Sequence, residues 1–180
     1  MSNVEERLPT RKRNRARLYD YSSCGAYFIT ICTMNKECLF WAKGQPNFVG
    51  EDIILPPESV RLSAFGQIVD QAIQSIPKYY PNIELLEYVI MPNHVHMILV
   101  IPEACGRMIS SPTNKGSVLT AVGQMKRHVT KAIGKPIWQK SFHDHVIRDR
   151  QDYEQIAKYI YENPIRWQYD CFYTADDEMR

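Results

Sequence analysis

No Cys-x-x-Cys pair occurs in this 180-residue chain. Its five cysteines, Cys24, Cys32, Cys38, Cys105 and Cys171, are odd in number and scattered. That argues against a disulfide framework and against a cysteine-based zinc site; Cys32 suits a strand as a small hydrophobe. His-Glu-x-x-His is missing too, which leaves a zinc hydrolase or zinc deaminase poorly supported. No apolar run reaches the roughly 18 residues that a membrane helix needs. The opening Met1-Ser2-Asn3-Val4-Glu5-Glu6 lacks the apolar core of a signal peptide. The expected location is the cytoplasm, with no membrane partner. Internal repeats and low-complexity segments are also missing.

What is present fits one domain with an arm. Hydrophobic content of 44% and charged content of 23% are ordinary for a globular protein. The net charge of +2 says little, but its distribution is uneven. Arg7, Arg11, Lys12, Arg13, Arg15 and Arg17 crowd residues 1–18, a basic arm that reads either as a phosphate-contacting element or as a solvated tail. Residues 19–170 form the expected domain, and 171–180 an acidic tail with Asp176, Asp177 and Glu178.

Periodicity orders the domain. Ala26 to Thr33 is rich in β-branched and aromatic residues and reads as the first strand. Residues 42–60, with Gly44, Pro46, Gly50, Pro56 and Pro57, read as a loop. Leu62, Phe65, Val69, Ala72, Ile73 and Ile76 recur at helical spacing up to Pro77. Leu85 to Met91 and His94 to Ile101 read as strands joined by Pro92-Asn93, an antiparallel hairpin. After a loop over 103–116, Ser117 caps a second helix. Its buried stripe is Val118, Val122, Met125, Val129 and Ala132 or Ile133, and it ends at Gly134. The outer side carries Lys126, Arg127 and Lys131, either a solvated face or a second phosphate-binding surface. Phe142 to Arg148 reads as a fourth strand. Asp149 caps a third helix, with Asp152 placed for a capping box, and Pro164 halts it after Asn163. The order predicts an α+β fold, a ferredoxin-like βαββαβ sandwich with an added C-terminal helix.

The candidate chemistry is split between two of these elements. In a strand, His94 and His96 share a face while Val95 points the other way, so one metal ion can be held by both imidazoles. The bland alternative is a pair that caps the strand. On the third helix Tyr153, Ile156, Ala157 and Ile160 form the buried stripe, and Glu154, Lys158 and Glu162 the wet face. Tyr159 and Asn163 lie one turn apart at one edge of the stripe, Tyr161 at the other. Taken alone, each suits an ordinary structural role. Brought to two imidazoles, a phenol and a carboxamide make a phosphoryl-transfer site. The metal ligands would be His94, His96 and Asn163, the ion magnesium or manganese, and the nucleophile Tyr159. His143-Asp144-His145 is a rival His-x-His.

These residues carry a family resemblance. His94-Val95-His96 resembles the HUH motif (histidine, bulky hydrophobe, histidine) of single-tyrosine transposases. Met91-Pro92-Asn93-His94-Val95-His96 and Tyr159-Ile160-Tyr161-Glu162-Asn163-Pro164 resemble the two blocks typical of REP-associated tyrosine transposases. Trp138-Gln139 with Phe142, His145, Ile147 and Arg148 resembles the block between them. Tyr19-Asp20-Tyr21 and Tyr27-Phe28-Ile29-Thr30 resemble the N-terminal block. The resemblance runs from about residue 17 to residue 167. It implies an HUH endonuclease domain that cuts single-stranded DNA next to a hairpin and leaves a 5′-phosphotyrosine and a free 3′-hydroxyl. Tyr159 matches the nucleophile, His94 and His96 the metal ligands, and Asn163 the amide ligand on the tyrosine helix. His145 is expected near the site as a DNA contact or proton carrier, and Arg148 as a DNA contact. The family includes monomers and homodimers, so either state is open. A non-catalytic hairpin-binding protein or repressor on the same fold is the competing expectation; it would keep the basic surfaces without needing Tyr159.

The basic arm is richer in arginine than the domain requires, and it is expected to grip the hairpin backbone. Deleting residues 1–17 should weaken DNA binding and flatten its salt dependence, measured by fluorescence anisotropy across a salt series. Unchanged affinity and slope would show that the arm is only solvated.

Overall fold

The computed structural model describes residues 20–43, 60–103 and 117–173. The arm with Arg11, Lys12, Arg13, Arg15 and Arg17 lies outside them, as do most of the expected loops and residues 174–180 of the tail. Among the described residues the four strands are β1 (Gly25–Cys32), β2 (Glu84–Ile90), β3 (His94–Ile101) and β4 (His143–Ile147). They form one antiparallel sheet in the order β2-β3-β1-β4. The helices are α1 (Ala64–Gln74), α2 (Ile76–Tyr79), α3 (Val118–Ile133) and α4 (Arg150–Glu162). This is the ferredoxin-like arrangement with one helix added after the last strand.

Strand alternation divides the side chains between two faces. Tyr27, Ile29 and Ile31 of β1 and Val95, Met97, Leu99 and Ile101 of β3 point to one face. They pack with Val69, Ala72 and Ile73 of α1 and Val118, Ala121, Val122, Met125 and Val129 of α3 as the main core. The other face carries His94 opposite Cys32, His96 opposite Thr30, Thr30 opposite His143 and Phe28 opposite His145. Helix α4 lies on this second face, with Ile160 as its buried apolar residue.

The caps explain where the helices begin and end. Ser63 accepts from the Gly66 N–H at the start of α1, and Ser117 from the Thr120 N–H at the start of α3. Gly134, at φ 81°, ends α3 in the left-handed region that a Cβ would resist. Pro77 does not stop the first helical run. Ser75 ends α1, and Ile76–Tyr79 adds a short turn with the proline near its own start, where no N–H is needed. Asp149 caps α4 by accepting from Asp152 N–H. The expected capping box is only half made, because the Asp152 carboxylate turns to His145 Nε2 and the Arg148 N–H instead. In β2 the pairing slips between Leu85 and Glu87, which leaves Leu86 as an exposed bulge residue.

Two glycines give opposite expectations. A Cβ built on Gly66 would sit 2.1 Å from the Phe40 carbonyl oxygen, whereas one on Gly123 meets nothing within 4 Å. Gly66→Ala should cost at least about 2 kcal/mol because backbone must move. Gly123→Ala, within α3, should gain about 0.5–1 kcal/mol. Urea unfolding of both variants checks the pair.

Candidate metal and tyrosine site

The turn between β2 and β3 builds the first half of the site. Met91 N–H bonds His94 O at 2.9 Å and closes the turn. Pro92 O accepts from the N–H groups of Leu39 and Phe40, and Asn93 O from Thr33 N–H and Thr33 Oγ1. The Asn93 amide nitrogen donates to the carbonyl oxygens of Lys36 and Phe172. With its nitrogen so used, its oxygen faces His94 Nδ1 at 2.8 Å. An amide oxygen only accepts, so Nδ1 must carry the proton and Nε2 must keep a lone pair. That Nε2 is buried and has no hydrogen-bond partner.

His96 is held between two hydroxyls. Its Nδ1 lies 2.9 Å from Thr30 Oγ1, and its Nε2 lies 3.2 Å from the Tyr159 hydroxyl. The two imidazole rings are 4.5 Å apart between centroids. Phe28 stacks on His96 at 5.2 Å and meets Tyr159 edge-on at 6.3 Å. Both imidazoles are neutral. Burial pushes His94 down from 6.5 to about 3, with the charge of Lys36 adding to it. Burial also takes His96 to about 3, helped by His94 and opposed by Asp170.

Helix α4 supplies the second half. Tyr159 is 41% exposed, with its hydroxyl turned onto His96. Asn163, one turn on, ends the helix just before Pro164; it is buried, its amide oxygen has no hydrogen-bond partner, and its amide N–H makes no closer contact than a weak one toward the Tyr159 phenol. Tyr161 is 53% exposed on the other edge of the helix. Leaving a buried polar atom unpaired costs about 1–3 kcal/mol. Among the described residues, His94 and Asn163 supply three of the five such side-chain atoms. Concentrating this cost on one lone pair and one amide suits a site that awaits a ligand.

A third contributor comes from the segment after α4. Trp167–Tyr169 makes a 3-10 turn that leads to Asp170. Asp170 Oδ2 lies 3.2 Å from the Tyr159 hydroxyl. Burial raises the pKa of Tyr159, and the Asp170 charge raises it further, against a weaker opposing effect of the Asn163 amide. Among the described residues, His94, His96 and Asp170 bring potential ligand atoms within 4.8 Å of one another. The donor set fits a divalent ion: two neutral imidazoles and a carboxylate. Sequence reasoning missed Asp170. No periodicity marks a carboxylate in an irregular turn, and its one signal is closeness to the end of the tyrosine helix.

The other expected residues are distributed differently. His143 and His145 share a face, as the spacing predicts, but among the described residues they do not assemble a comparable group. His145 Nε2 pairs with Asp152 Oδ2 at 2.8 Å, and His143 is exposed. Lys126 Nζ donates to the carbonyl oxygens of Gln139 and Ser141 and so pins the approach to β4. Arg127 bonds Gln124 and is exposed, as is Lys131. Both lie on α3, across the sheet from the histidine pair. Arg148 is exposed at the end of β4.

Residues 60–163 match the family described as "Transposase IS200 like". An uncharacterised protein of Haemophilus influenzae is 36% identical, over 91% of this chain and 93% of its own. The REP-associated tyrosine transposase of Escherichia coli K12 is 32% identical over 56% of this chain and 54% of that protein. A solved structure of a REP-associated tyrosine transposase bound to a REP hairpin superposes with a TM-score of 0.55 at 22% identity. It covers 87% of this chain and 76% of that one, a likeness of fold.

The neutral imidazoles make stability depend on pH. The unfolded chain takes up protons near 6.5, but the native pair takes none until about 3. Stability of the metal-free protein is therefore full above pH 6.5 and is lost as pH falls through this window. The slope reaches about 1.4 kcal/mol per pH unit for each histidine. Urea unfolding in a chelator at about pH 7.5 and about pH 5.5 measures it. A His94→Gln, His96→Gln double variant should lose most of the slope.

Proposed function

The chain belongs to the IS200-like transposase family, where it resembles the REP-associated tyrosine transposases, and we propose that it cuts and rejoins single-stranded DNA beside a hairpin. The observation that carries the reading is the Tyr159 hydroxyl, 3.2 Å from Nε2 of a buried, neutral His96. A nucleophile and a metal-ready nitrogen on two distant elements meet at one point. The fold likeness to a protein solved with a REP hairpin favours hairpin DNA as the partner.

In the reaction, the Tyr159 hydroxyl loses its proton to solvent, and its oxygen attacks a backbone phosphorus and forms an O–P bond. The bond from phosphorus to the 3′ oxygen breaks, and its electron pair leaves with that oxygen, which becomes a 3′-hydroxyl on protonation. The 5′ end stays on the tyrosine as a phosphodiester, so the strand can be passed to another 3′-hydroxyl by the reverse step. His94, His96 and Asn163 would hold magnesium or manganese. Such an ion supplies Lewis acidity at a phosphoryl oxygen and positive charge beside the phenol. Without that charge, burial and Asp170 keep the phenol protonated and idle. Phe28, against both His96 and Tyr159, limits how far either ring can turn.

Tyr159→Phe removes one hydroxyl at a half-exposed position, so it should cost no more than about 1.5 kcal/mol of stability. Incubated with a hairpin oligonucleotide and manganese, the variant should yield neither cut strand nor covalent adduct on a denaturing gel, yet still bind. Tyr161→Phe should cut normally. The opposite pattern would move the nucleophile to Tyr161. An unmutated protein that binds hairpins from its own genome but never cuts them would favour the repressor alternative.

A further inference from the structure

We propose that Asp170 is a further protein ligand of the metal centre, holding in the DNA-free protein the coordination position that a DNA phosphate oxygen takes in the complex. The inference rests on the metal-centre reading above and adds to it a residue that lies beyond the tyrosine helix.

Asp170 is a fixed group, not a wandering surface acid. Its Oδ1 accepts from the Phe172 N–H at 2.7 Å, which leaves Oδ2 to face the Tyr159 hydroxyl at 3.2 Å. The residues after it are tied to the β2–β3 turn. The Asn93 amide donates to Phe172 O at 2.9 Å, and Lys36 Nζ to Cys171 O at 3.3 Å. The Phe172 ring lies 4.6 Å from the His94 ring. The same Asn93 therefore sets the tautomer of His94 and anchors the segment that presents Asp170. His94, whose Nε2 is buried and unpaired, belongs to the group whose potential ligand atoms lie within 4.8 Å of one another and which contains the carboxylate.

The chemistry explains why such a ligand is useful. Two imidazoles and an amide are all neutral, and a dication held only by them at a buried site is poorly compensated. Magnesium and manganese prefer anionic oxygen. In the DNA complex a phosphate oxygen provides it. Without DNA, Asp170 is the anionic oxygen within reach. A phosphate placed for attack by Tyr159 must approach the space beside that hydroxyl, where Oδ2 now lies, and two anions there repel each other. Carboxylate and phosphate are therefore alternatives. Metal should bind before DNA, and Asp170 should weaken the coupling by which metal and DNA strengthen one another.

The test is calorimetric titration of Mn²⁺ into the full chain, for the unmutated protein, Asp170→Asn, Asp170→Glu and a His94→Ala, His96→Ala double variant. Without DNA, Asp170→Asn should bind Mn²⁺ about tenfold to a hundredfold more weakly, and Asp170→Glu should stay close to the unmutated value. With a saturating random-sequence single-stranded oligonucleotide, the unmutated and Asp170→Asn proteins should converge. If Asp170→Asn keeps full affinity without DNA while the double histidine variant loses it, Asp170 is no ligand and the metal centre stands. If the double variant also keeps full affinity, the metal-centre reading itself fails. If the Asp170→Asn deficit persists unchanged with the oligonucleotide, Asp170 is a permanent ligand and the exchange is refuted.

Discussion

The hydrogen bond between Asn93 Oδ1 and His94 Nδ1 is the constraint on which the site depends. It decides which nitrogen of a buried imidazole keeps its lone pair. Asn93 can make it because the rest of the residue is already committed: its backbone oxygen to Thr33, its amide nitrogen to Lys36 and Phe172. A histidine free to change tautomer would point an N–H into the site part of the time, and an N–H cannot bind metal. The tight turn before β3 is thus a device for chemistry as much as for chain reversal.

The sheet then distributes the remaining tasks by face. One face carries the apolar core beneath α1 and α3 and supplies most of the burial. The other can hold polar groups in a dry place because α4 crosses it and the segment to Phe172 folds over its end. Thr30, His96 and His143 form one row across three strands, so the centre is continuous with the exposed surface of β4. Lys126 serves that surface indirectly, by fixing the chain that leads into β4.

The parts legible in the sequence are those governed by local rules. Strand β3 begins at His94 and helix α3 runs from Val118 to Ile133 as expected, because Pro92-Asn93, Ser117 and Gly134 act within a few residues of themselves. The edge position of Tyr159 on α4 follows from helical spacing alone. The illegible parts depend on what another segment offers. Asp152 has the spacing of a capping box but finds His145 a better partner. Lys126 looks like a free cation until the carbonyls of Gln139 and Ser141 are brought to it. Asp170 gains meaning only when an irregular turn folds back onto β3.

The bulge at Leu86 has a consequence for the sheet as a whole. β2 is an edge strand, and an edge presents a row of backbone donors and acceptors that a further strand can extend. A slip between Leu85 and Glu87 breaks the regular spacing of that row, and the exposed carboxylates of Glu84 and Glu87 flank the break. A strand arriving from another molecule would meet interrupted pairing and like charge on itself if acidic. Among the described residues the sheet ends at β2 on this side, and the bulge with its flanking carboxylates disfavours edge-to-edge growth.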